Sequence, residues 1–154
     1  MTTVTERSVA ERDYQERVET AIATLQHDLP TLFERDLSYD IYSREIAFRD
    51  PVNHFKGKFN YRIIFWTLRF HGQLFFTELH FDLHSVQQAN LETIRADWTV
   101  RGTLRVPWNA KLLFHGYSIY TLNQDGLIIT HVDTWDRSPR EILKQFVQRG
   151  DRYV

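Results

Sequence analysis

Hydrophobic positions recur along this chain with two periods, and the change from one to the other divides it. Val18, Ile22, Leu25, Leu29, Leu32 and Phe33 return at three- and four-residue steps. That stripe predicts helix over 11–37. Pro30 interrupts it, either kinking one helix or opening the first turn of a second, with Asp28 as the cap. Residues 38–43 read as a short helical turn, 46–49 as a strand that stops at Asp50-Pro51, and 53–58 as a loop. A further helix is predicted from Asn60 to Phe70, with Tyr61, Ile64, Phe65 and Leu68 on one face and Gly72 as its stop. Ile63, Trp66 and Phe70 widen its apolar surface, which predicts burial on more than one side.

From Leu74 the period is two. Phe75, Leu79, Phe81 and Leu83 mark one face of a strand, and Glu78, His80, Asp82 and His84 the other. In the next strand Ile94, Ala96, Trp98, Val100, Leu104 and Val106 alternate with Arg95, Asp97, Thr99, Arg101, Thr103 and Arg105. Antiparallel pairing of these two strands would set an acidic, histidine-bearing face against a basic one. Pro107-Trp108 makes a turn. Strands follow over 110–122 and 126–136, joined by the hairpin turn Asn123-Gln124-Asp125-Gly126. Ser138-Pro139-Arg140-Glu141 opens a last helix over 138–148. Helices followed by a run of alternating strands is the α+β pattern. The expected organisation is a disordered tail over 1–10 and a single domain over 11–148.

Composition narrows the chemistry. The chain has 154 residues and no cysteine, which excludes disulfides and thiolate metal sites. Lys and Arg number 19 against 20 Asp and Glu, so no overall field draws the chain to nucleic acid. No run of about 18 apolar residues occurs, so no membrane-spanning helix is expected. Aromatic residues make up 14%, enough both to fill a core and to line an apolar ligand cavity. His80, Asp82 and His84 could face a divalent metal from one strand, but no loop completes the ligand set, so no metal is expected. Asp50 is held extended by the proline after it; it is a candidate general base, or a turn residue accepting backbone hydrogen bonds. His131 and Asp133 stand two apart on one strand face and would form an acid–base pair if that face points inward. The opposite face, Ile128, Thr130, Val132 and Thr134, suits a core equally well. Trp98, Trp135 and Phe65 are candidate cavity walls. On the strand over 110–122, either His115 and Tyr117 or Ser118 and Tyr120 can face the cavity, and the expectation here is His115 and Tyr117.

The element order and three local motifs resemble a known superfamily. The motifs are Phe48-Arg49-Asp50-Pro51-Val52, Phe55-Lys56-Gly57 leading into a helix, and the final strand 126–136 with its His131-x-Asp133-x-Trp135-Asp136. They resemble the nuclear-transport-factor-two-like superfamily of ketosteroid isomerases, SnoaL polyketide cyclases and scytalone dehydratase. Within it the chain is most similar to an uncharacterised branch common in cyanobacteria and plant plastids, which shares the Trp98-Thr99 strand and the Pro107-Trp108 turn. The resemblance implies a cone-shaped curved antiparallel sheet wrapped around N-terminal helices, with a pocket inside. It implies Asp50 as the base of an isomerase. The tyrosine and protonated acid that such isomerases need would fall near Gln26 and Ser118, neither of which is the required residue, and this disfavours steroid isomerisation. The expected protein binds an apolar or aromatic small molecule, needs no cofactor, pairs as a homodimer through its outer sheet face, and resides in cytoplasm or, in a plant, plastid stroma. The alternatives are a cofactor-free isomerase, cyclase or hydrolase using Asp50 or His131–Asp133 as base and Tyr117 as polariser, and an interaction module working through the sheet face.

Overall fold

A computed structural model describes residues 4–105 and 108–147; Val106 and Pro107, expected in a strand and a turn, lie outside the described residues. Helix α1 (Val4–Asp28) leads through a 3₁₀ turn (Leu29–Thr31) and another (Tyr39–Ile41) into strand β1 (Tyr42–Arg49). Then come β2 (His54–Lys56), α2 (Lys58–Phe75), β3 (Phe76–Gln88), β4 (Thr93–Leu104), β5 (Lys111–Leu122), β6 (Ile128–Trp135) and α3 (Pro139–Gln145). The six strands form one curved, unclosed sheet in the order β2-β1-β6-β5-β4-β3. Among the described strands only β1 and β6 run parallel; the long meander β3–β6 is antiparallel throughout. This is the α+β architecture the sequence predicts, with the helices on the concave side.

Several boundaries differ from expectation, and His54–Lys56, expected in a loop, pair with β1 as strand β2. Residues 1–10, expected as a tail, are helical from Val4. The stripe does not continue through 37, because Pro30 opens the 3₁₀ turn. Asp28 does not cap that turn. Its carboxylate accepts instead from the Ser38 amide (2.7 Å) and hydroxyl (3.2 Å), pinning the loop that leads to β1. Helix α2 runs through Gly72, which is there for space rather than as a stop: a Cβ on it would lie 2.8 Å from Leu79 Cδ2. At its other end Gly57 (φ +99°) turns β2 into α2, a backbone conformation that suits glycine.

The expectation that α2 is buried on more than one side does not hold. Tyr61 and Phe65 are buried against the sheet, whereas Ile63, Trp66 and Phe70 are 46%, 57% and 50% exposed.

The core lies between α1, α2 and the concave face of the sheet. Ile94, Ala96, Trp98 and Val100 of β4 are all at or below 5% exposure. Across the outer face Arg101 Nε donates to Asp82 (2.6 Å), the acid–base pairing expected between β3 and β4. Ser138 and Glu141 form a reciprocal capping box that starts α3.

Candidate functional site

Strand register decides which polar side chains enter the core. Ala96 stands opposite Ser118, Ile94 opposite Tyr120, and Trp98 opposite Gly116. Since β4 buries Ile94, Ala96 and Trp98, its partner must bury Ser118 and Tyr120. Strand β6 in turn pairs His131 with Tyr120 and Asp133 with Ser118. His131, Asp133 and Trp135 therefore face inward, while Val132 is 39% exposed. Ile128 is also buried, although parity would turn it outward, because the register shifts between Thr121 and Leu122.

These residues form one buried chain of hydrogen bonds. The Trp98 indole N–H donates to Ser118 Oγ (2.9 Å), and the Ser118 hydroxyl donates to Asp133 Oδ1. His131 Nε2 lies 2.6 Å from the same carboxylate oxygen, and Nδ1 lies 2.7 Å from the Tyr61 hydroxyl. The Tyr61 ring packs in turn against Tyr42, with centroids 4.8 Å apart. A carboxylate only accepts, so Nε2 carries a proton, and in the neutral ring Nδ1 accepts from Tyr61. The imidazole is 2% exposed and enclosed by Tyr120 (ring centroids 4.3 Å apart), Phe48 (4.9 Å) and Phe65 (6.4 Å). No described side-chain polar atom in the interior lacks a partner. Both ring nitrogens are engaged within the protein, which leaves no free imidazole nitrogen to take a proton from a ligand.

Burial pushes the phenols of Tyr42, Tyr61 and Tyr120 well above their ordinary value of 10.0. In the unfolded chain they titrate near pH ~10. Above that pH the native state holds more protons than the unfolded one. Their contribution is therefore complete below pH ~10 and is lost as pH rises from there through the folded values. The expected result is cooperative alkaline unfolding in which these three of the seven tyrosines ionise only as the fold opens. Tyrosinate absorbance followed alongside circular dichroism checks this; release of all seven from a still-folded protein would contradict it.

His115 and Tyr117, expected to line the cavity, face the other way. They stand opposite Thr99 and Asp97 on the outer side of the sheet. Thr99 Oγ1 lies 2.6 Å from His115 Nδ1 and 2.7 Å from His84 Nε2. The Arg95 guanidinium sits 4.0 Å from the Tyr117 ring centre and holds Asp97 below the usual carboxylate range. On the same face Asp82 is taken by Arg101 and His80 lies 3.7 Å from Glu78. Among the described residues no group of three His, Asp or Glu side chains is arranged to hold a metal ion. Asp50 closes the β1–β2 turn. Its Oδ1 accepts from the amides of Val52 (2.8 Å) and Asn53 (2.6 Å), and its Oδ2 from the Asn53 side chain (3.0 Å).

Beyond Trp135 the concave side opens into a cavity of about 300 Å³. Its walls are Phe33 after α1, Leu68, Phe75 and Gly72 of α2, Phe76 and Leu79 of β3, Val100, Leu112 and Phe114 from the sheet, and Ile142 and Phe146 from the α3 region. Thr67 and His71 are its polar members, and the His71 ring is 2.9 Å from the Thr67 carbonyl oxygen. Trp98, Phe114 and Trp135 make a continuous aromatic run, with centroids 5.9 and 5.3 Å apart. Trp135 borders the cavity; Trp98 and Phe65 lie behind it in the core. The hydrogen-bonded chain sits deeper, against the N-terminal half of α2. The sequence offers Ser118 and Tyr120 only as the alternative to His115 and Tyr117, and assigns Tyr42 and Tyr61 no role in the site. Tyr120 and Ser118 could have been found only with the β4–β5 register, which one sequence does not carry.

The described residues contain no helix long and apolar enough to cross a membrane. Residues 19–131 match the family described as an uncharacterized conserved protein, DUF2358. The chain belongs to this family. Among curated proteins none matches it in sequence. Solved structures share its fold. AclR, a candidate hydroxylase from Streptomyces galilaeus, is 16% identical over 84% of this chain and 87% of its own, with a TM-score of 0.59. An NTF2-like protein of unknown function from Cytophaga hutchinsonii is 14% identical over 77% and 96%, with a TM-score of 0.56. A candidate isomerase of the SnoaL-like family from Agrobacterium tumefaciens is 18% identical over 77% and 99%, with a TM-score of 0.51. The fold of this DUF2358 member is thus the NTF2-like, SnoaL-like one. At such identity the likeness is one of architecture, which hosts many activities.

Proposed function

We propose that this DUF2358 protein binds an apolar or aromatic small molecule in the cavity bounded by α2, α3 and the concave sheet face. The observation that carries the reading is the lining of that cavity, nearly all aliphatic and aromatic side chains with two polar groups at one side. Apolar walls with few polar groups are what a carrier of a hydrophobic ligand needs. The buried His131–Asp133 pair supports the inner end of the cone rather than handling protons, because Tyr61 and Ser118 already occupy it. Asp50 is likewise spent on its turn. Membership in the cyanobacterial and plastid branch belongs to this reading and directs the ligand search to pigments, quinones and isoprenoids.

Native mass spectrometry of protein purified from its own host, with extraction of bound molecules, tests the reading first. A stoichiometric apolar molecule is expected. Leu68 borders the cavity and is 41% exposed, so Leu68→Arg sets a charge at the rim with little cost to the fold. It is expected to weaken binding of the recovered molecule by about tenfold or more, roughly 1.4 kcal/mol. Asp50→Asn and Asp133→Asn are expected to leave affinity within about tenfold. Turnover of the molecule that is lost in Asp133→Asn while binding persists would replace the carrier with an enzyme.

A further inference from the structure

The outward side of α2 carries a row of large apolar side chains that the fold leaves uncovered. Phe59, Ile63, Trp66, Phe70 and Leu74 follow one another at steps of four, three, four and four residues, which places them on one face. They are 75%, 46%, 57%, 50% and 53% exposed. The Trp66 and Phe70 rings are stacked, with centroids 5.3 Å apart and planes within 7°. The helix already buries its opposite face, where Tyr61, Phe65 and Gly72 meet the sheet. A helix needs one apolar face to pack against its own core, so this one has a second with no task inside the described fold.

Along this segment of the sequence the charge is of one sign. From residue 51 to residue 77 there is no Asp or Glu, while Lys56, Lys58, Arg62 and Arg69 fall in that span. Arg69 turns back to Asp36 (3.2 Å). Arg62 lies 4.9 Å from the Tyr39 ring centre. Lys56 and Lys58, just ahead of Phe59, make no ion pair among the described residues. The chain as a whole carries a net charge of −1, so this is local segregation rather than a basic protein.

We propose that the outward face of α2 seats the protein on an anionic lipid bilayer. Aromatic and branched side chains flanked by lysine and arginine, with no carboxylate among them, are the pattern of an interfacial helix. The apolar row enters the boundary between headgroups and acyl chains, and Lys56, Lys58 and Arg62 meet lipid phosphates. A second copy of the chain satisfies this face less well, because its own α2 supplies more cations and no acid. At the C-terminal end of the row Leu74 adjoins Phe75, which also borders the cavity. Docking would thus bring the cavity mouth beside the acyl chains, though it does not depend on any ligand being in the cavity.

Vesicle flotation tests this with the full chain, using phosphatidylcholine vesicles with and without about 30 mol % phosphatidylglycerol. The protein is expected to float with the anionic vesicles, with tryptophan emission shifting to the blue. Flotation is expected to fall about tenfold in W66E/F70E and to fall again when salt is raised to about 0.5 M. Phe59→Glu, at the most exposed position of the row, is the second variant should the double one melt early. Wild-type protein left in solution beside anionic vesicles overturns the proposal. So does flotation unchanged by W66E/F70E and Phe59→Glu. A dimer that these substitutions dissolve, with no flotation of the wild type, assigns the face to self-association and overturns it as well.

Discussion

Replacing His131 with alanine is expected to lower the unfolding free energy by about 3–5 kcal/mol. The imidazole fills space between Tyr120, Phe48 and Phe65 and joins the two halves of the buried hydrogen-bond chain. Alanine removes that packing and leaves the Tyr61 hydroxyl without its nitrogen acceptor. It also strips Asp133 of one of two donors to the same oxygen. A buried polar group left unpaired costs about 1–3 kcal/mol, and a carboxylate more. Asp133→Asn is the comparison. It keeps an acceptor oxygen for Ser118 and His131, and is expected to cost about 1–2 kcal/mol. Urea denaturation at neutral pH measures both. A loss below about 1 kcal/mol in His131→Ala would mean that the interior closes without the ring and that the network is not what orders it.

Gly116→Ala is expected to cost about 2–4 kcal/mol, a large effect for one methyl group. The reason is space, since Gly116 has an ordinary strand backbone. A Cβ there would lie 2.5 Å from the Thr134 carbonyl oxygen and 2.5 Å from Cη2 of Trp98. The carbonyl belongs to β6, so yielding means parting the β5–β6 pair. The indole is held in place because its N–H donates to Ser118 and its ring packs between Phe81 (5.2 Å) and Phe114 (5.9 Å). Thermal melting with tryptophan emission as the probe reads the loss. A melting temperature unchanged by the substitution would show that Trp98 swings away freely, and the aromatic run beside the cavity would then not be rigid.

The elements whose residues speak for themselves were legible. The alternation survives over Glu78–Leu83 of β3 and through β4, because each strand sets one face on the core. It is not complete: Phe75 ends α2, the β3 register shifts on either side of that run, and Thr99 and Thr103 are covered on the outer face. The hairpin at 123–126 and the cap of α3 are equally local, set by Asn123 accepting from the amides of Asp125 and Leu127 and by Ser138 accepting from Glu141. The site was less legible. His115 and Tyr117 look as plausible for an interior as Ser118 and Tyr120, since either set alternates. The same holds for His131 and Asp133 against Thr130 and Val132. What separates them is which residue of β5 lies opposite Trp98, and that is a fact about two strands.

The α2 helix shows the limit most plainly. Its sequence is apolar on two sides, and periodicity reads both as buried. Only packing reveals that the sheet covers one of them, because a helix on a concave sheet meets it along a single stripe.

By itself the sequence determined the order of elements apart from β2, the alternation along the middle of the long strands, the 123–126 hairpin and the cap of α3, and a balanced charge with one acid-free basic segment. Each of these depends on neighbours a few residues apart. The tertiary structure alone decided that His131 and Asp133 lie inside and His115 and Tyr117 outside, that the Asp50 carboxylate accepts from the amides of its turn, and that the row from Phe59 to Leu74 stays about half exposed or more. These follow from strand register and from the shape of the space between helix and sheet, where residues far apart in the chain are set side by side.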